Sequence, residues 1–148
     1  MANTENNNPY ALGLDRNEAN FVPLSPLSFI ERTAQIYPNH TAVIYGDIRR
    51  SWADTYQRCL RLAAALKQRG VGSGDTVAAL LPNIPEMLEL HFAVPMLGAV
   101  LNAQNTRLDA ETIAFMIDHA GAPVLVTDKE FSATVARALV SGMALPIR

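Results

Sequence analysis

One cysteine, three histidines and one tryptophan are all that this chain of 148 residues holds of those side chains. A lone thiol, Cys59, excludes an internal disulfide and fits a reducing compartment. His40, His91 and His119 lie far apart, and no HExxH or CxxC spacing occurs, so the compact metal-ligand patterns are excluded. There is no GxSxG elbow and no GxxxxGK[ST] loop. An excess of positive charge is also missing: 12 Lys and Arg stand against 14 Asp and Glu, for a net charge of −2. The densest basic group, Arg49-Arg50, is too small for a polyanion site, so no nucleic-acid partner is expected. Long hydrophobic runs are absent too. The best membrane candidate, residues 87–101, contains Glu89, His91 and Pro95 and falls short of the ~20 apolar residues a span needs. The N-terminus carries Glu5, Asp15 and Glu18, without the basic start and apolar core of a secretory signal. The expected compartment is therefore the cytoplasm.

What remains is a globular composition. Hydrophobic residues make up 49% and charged residues 18% of the chain, which argues against disorder. The length fits one domain that buries about two-thirds of its unfolded surface. Residues 1–20 are Asn-rich with few large apolar side chains and are expected to form a flexible leader. Residues 21–148 are expected to form one domain.

Residues 21–26 (FVPLSP) carry two prolines and read as extended. Ser28 is placed to cap a short helix over 29–36 that Pro38 ends. Residues 41–45 (TAVIY) and 48–52 flank Gly46-Asp47 as a hairpin. Ser51 and Asp54 form a capping pair for a helix over 53–69. Its Tyr56, Cys59, Leu60, Ala63 and Leu66 share a face, while Arg58, Arg61 and Gln68 face water. Gly70 suits the helix stop. Residues 75–81 (DTVAALL) form a continuous apolar run, as in strands covered on both sides. Asn83-Ile84-Pro85-Glu86 then reads as a capping pattern for a helix that reaches about Gly98 with a kink at Pro95. Short strands follow at 99–102 and 123–127. Between them lies a helix over 110–119, capped by Asp109 and closed by Gly121. A last helix covers 129–141, and 145–147 begins a strand. The β-α-β-α-β-α order from residue 75 implies right-handed crossovers. The fold class is α/β: a mostly parallel sheet with helices on both faces, preceded by a short β-hairpin.

Four features invite a functional reading. Gly70-Val71-Gly72-Ser73-Gly74 has the glycines of a nucleotide loop but the wrong polarity, since it follows a helix and precedes a strand. It reads as a helix stop and tight turn. Residues 82–86 (PNIPE) have the right polarity, yet without Lys or a glycine-rich stretch helix capping is favoured. Residues 102–109 (NAQNTRLD) form a polar loop past a strand end, where Arg107 can meet a carboxylate or phosphate or, equally, hold the loop through carbonyls or Asp109. Glu86 and Glu89 are neighbours on one helix, as many solvated pairs are. His91, among Leu88, Phe92 and Val94, reads as a hydrogen-bonded core or pocket-wall residue rather than a catalyst. Cys59, on an apolar helix face, reads as packing rather than a nucleophile.

In combination these segments resemble the AMP-forming adenylating superfamily of acyl-CoA synthetases, aryl-CoA ligases and luciferases. The resemblance rests on Thr41-Ala42-Val43 with Tyr45-Gly46, on WADTY at 52–56, and on Arg61 to Leu66 with Gly70-Val71, Gly74-Asp75 and Val77. Pro82-Asn83, HFAVPMLGAVLNAQN at 91–105 and Thr106-Arg107-Leu108-Asp109 complete it. The wording is most similar to short- and medium-chain acyl-CoA synthetases, including plant acyl-activating enzymes. The resemblance implies a two-step reaction in which a carboxylic acid is joined to AMP from ATP, with Mg²⁺, and then passed to coenzyme A. The family's Ser/Thr/Gly-rich loop ending in lysine, its aromatic-Gly-x-Thr-Glu segment, its ribose-binding aspartate and its C-terminal-domain lysine are not found in residues 1–148. No catalytic, cofactor-binding or metal residue is therefore assigned. The chain is expected to be the incomplete N-terminal part of a larger acyl-CoA synthetase-like fold, inert alone. Self-association or pairing with a separate C-terminal part is expected from an unfinished sheet.

Overall fold

The computed structural model describes residues 13, 15 and 17–142. Most of the expected leader, and the strand expected at 145–147, lie outside the described residues.

The first helix, α1 (Pro26–Ile36), starts earlier than Ser28 suggested. Ser25 is its N-cap and accepts from the Leu27 amide at 3.2 Å, and Pro26 occupies the first turn, where a missing N–H costs nothing. Ser28 instead donates to the Ser25 carbonyl at 2.7 Å. The chain then forms an antiparallel hairpin of β1 (Thr41–Tyr45) and β2 (Ile48–Ser51). Gly46, with φ of 53°, leads the two-residue turn, a position that needs positive φ in the hairpin turns that match strand twist.

Helix α2 (Trp52–Gln68) begins in a capping box. The Ser51 hydroxyl accepts from the Asp54 amide at 3.1 Å, and the Asp54 carboxylate accepts from the Ser51 amide at 3.3 Å. The buried residues of α2 are Thr55, Cys59, Ala63 and Leu66, so Thr55 takes a place assigned above to apolar neighbours. Its hydroxyl is satisfied by the Ser51 carbonyl at 2.8 Å. At the other end the Gly70 amide donates to the Lys67 carbonyl and the Val71 amide to the Leu66 carbonyl. This is a Schellman stop, and its apolar pair, Leu66 and Val71, joins the core.

Strand β3 (Thr76–Leu80) lies in the middle of a three-stranded parallel sheet of order β4-β3-β5, with β4 at Val100–Ala103 and β5 at Val124–Thr127. Central position explains the uninterrupted apolar run: Val77, Ala78, Ala79 and Leu80 have no exposed surface. Side chains alternate between faces. Val77, Ala79 and Leu81 pack with Leu66 of α2 and with Leu90 of α3 (Pro85–Ala93). Leu80 packs with Ile113 and Ala114 of α4 (Ala110–His119) and with Val135 and Ala138 of α5 (Ser132–Gly142). The sheet thus carries α2 and α3 on one face and α4 and α5 on the other. Past Ala93 the chain tightens into a 3₁₀ turn at Pro95–Leu97, so the α-helix ends before Pro95 rather than kinking through it.

Candidate functional site

In open parallel sheets, ligands are met at the carboxyl ends of the strands. Here three loops share that end: residues 81–84 after β3, 104–109 after β4, and Asp128 after β5. Asp128 caps the following 3₁₀ turn by accepting from the Glu130 amide at 3.0 Å.

The loop after β3 does not cap in the way its sequence suggested. The N-cap of α3 is Ile84, with no side-chain hydrogen bond, and Pro85 fills the first position. Glu86 turns away from the helix start because two guanidiniums attract it. Arg50 of β2 and Arg58 of α2 each lie 3.3 Å from its carboxylate, and both also bond Glu89. Glu89 is only 4% exposed. The two acids are thus not a solvated pair, and Arg58 does not simply face water. Two cations and two anions form a closed quartet that ties the hairpin, α2 and α3 together. Sequence reading missed it because Arg50 lies 39 residues from Glu89. The hydrogen bond to Glu89 is the main reason that the Arg58 guanidinium is held above its usual range.

Beside the quartet, the hairpin and α3 leave a cleft of about 610 Å³, lined chiefly by Val43, Ile44, Tyr45, Ile84, Met87 and Phe92. His91 lines the same cleft, its Nδ1 2.8 Å from the Met87 carbonyl. A carbonyl only accepts, so Nδ1 carries the proton. His91 is therefore the hydrogen-bonded pocket-wall residue expected, though exposed rather than in the core. Cys59 is fully buried, and burial first, then the charge of Glu89, pushes its thiol up to about 11. That suits packing and not nucleophilic attack. In the glycine-rich loop the Asp75 carboxylate accepts from the Gly72 amide at 2.7 Å, and the Gly74 amide donates to the Gly98 carbonyl at 3.0 Å. The backbone donors that an anion would need are spent inside the protein, as a structural turn requires.

The loop after β4 behaves differently. Asp109 caps α4 by accepting from the Thr112 amide at 2.8 Å, the bond that does most to hold its carboxyl below the usual carboxylate range. It does not pair with Arg107, whose guanidinium is exposed and has no hydrogen-bond partner among the described residues. Gln104, which the sequence gave no reason to single out, is 4% exposed, and both its Nε2 and Oε1 lack a partner among the described residues. A buried polar group left unpaired costs roughly 1–3 kcal/mol. Among the described residues no group of three His, Cys, Asp or Glu could hold a metal ion, and no helix is long and apolar enough to cross a membrane.

Comparison with known proteins agrees with this geometry. The family model described as AMP-binding enzyme matches residues 30–146. The peroxisomal butyrate–CoA ligase AAE11 of Arabidopsis thaliana is 50% identical over 122 residues, covering 82% of this chain and 21% of the ligase. The peroxisomal benzoate–CoA ligase of the same plant is 48% identical, with 82% and 21% covered. Among solved structures, a candidate long-chain-fatty-acid CoA ligase from Rhodopseudomonas palustris superposes with a TM-score of 0.75 at 36% identity, over 80% of this chain and 30% of that one. This chain therefore belongs to the AMP-binding enzyme family and corresponds to the N-terminal portion of an AMP-forming acyl-CoA synthetase.

Proposed function

We propose that these residues serve as the N-terminal part of an ATP-dependent acyl-CoA synthetase that converts a fatty or aromatic acid to its acyl-CoA, and that they do not catalyse the reaction alone. The observation that carries this is the match to the butyrate ligase, 50% identical yet spanning 21% of its length. A carboxylate is a poor electrophile, so activation as an acyl-adenylate precedes thiol attack, and stabilising the phosphates needs preorganised donors and Mg²⁺. The residues here do not fit that task. In the glycine-rich loop the Gly72 and Gly74 amides are occupied by Asp75 and Gly98, and Arg107, in the loop after β4, has no partner among the described residues. The butyrate and benzoate ligases match almost equally well, at 50% and 48%, which fits an acid pocket built from other residues.

A second reading is a non-catalytic module that complements a separately encoded C-terminal part. The exposed apolar side chains Ile44, Val100, Phe115 and Val140 favour it. ATP–pyrophosphate exchange tests both. The chain alone is expected to give none, and exchange by the purified 148-residue chain with butyrate or benzoate would overturn the proposal. Exchange that appears only on adding a downstream segment supports the module.

A further inference from the structure

We draw no further inference here: the strongest candidate, the apolar cleft of about 610 Å³ between the hairpin and α3 with His91 on its wall, is an unpartnered face, and nothing in the structure shows what covers it.

Discussion

The loops after β3 and β4 emerge side by side from the same end of the sheet, yet they treat their polar groups in opposite ways. After β3, Glu86 and Glu89 are answered by Arg50 and Arg58, and the four charges cancel. After β4, Gln104 is buried and Arg107 exposed, and neither side chain has a partner among the described residues. A polar group satisfied within the fold is structural until shown otherwise. One left unsatisfied costs stability, and what repays that cost must come from outside the described residues. The difference teaches where to look for structure and where to look for binding; in sequence, residues 82–86 read as a helix cap, while residues 102–109 read as a polar loop whose Arg107 could meet a ligand or hold the loop itself.

The sharpest way to break the comparison is Glu89→Ala. It leaves Arg50 and Arg58 without the carboxylate that holds them, and Arg50 has a side chain only 15% exposed. Removing one partner of a buried network is expected to cost about 3 kcal/mol, measured as a shift in the urea midpoint. A cost under ~1 kcal/mol would demote the quartet to a surface ion cluster. Leaving Cys59 in place gives a second readout. Its folded thiol is raised from the ordinary 9.0 to about 11, so the folded state holds its proton where the unfolded chain releases it. The stability this contributes is full below pH 9 and declines as pH rises from 9 towards 11, by about 2 kcal/mol. Urea melts across that window check the decline, and Cys59→Ala should flatten it. Because Glu89 contributes to the shift, Glu89→Ala should also move the decline to lower pH.

The periodic features were legible and the long-range ones were not. The capping box at Ser51, the Schellman stop at Gly70, the buried run at residues 76–80 and the α/β alternation all depend on neighbours within a few residues, where composition and spacing speak directly. The start of α1 was misplaced by three residues because Ser25-Pro26 and Ser28 both satisfy a capping rule, and the first turn prefers proline. Glu86 was misread because a Pro-Glu pair at a helix start resembles a reciprocal cap, while the guanidiniums that draw it away come from residues 50 and 58. Gln104 carries no local signal at all. Its burial follows from the packing of the sheet and helices, which no window of sequence contains. The family resemblance, carried by many short segments spread over the chain, was readable where single contacts were not.

The smaller effects separate the two loops most cleanly. In the chain alone, Gln104→Leu removes two unpaired polar atoms and keeps a similar volume, so it is expected to raise stability by ~1 kcal/mol, seen as a higher melting temperature. That sign is unusual for a buried substitution, since most such changes destabilise. A fall in stability would mean that the amide is already satisfied and would erase the contrast with the loop after β3. Arg107→Ala should change stability by less than ~0.5 kcal/mol, because the exposed guanidinium bonds to none of the described residues. If that substitution instead destabilises by more than ~1 kcal/mol, Arg107 belongs with the structural cations Arg50 and Arg58 and not with the groups awaiting a partner. A stabilising Gln104→Leu together with a silent Arg107→Ala would place both residues outside the set of contacts that the chain needs in order to fold. That is the condition under which a polar loop is free to serve a ligand or a second segment of protein.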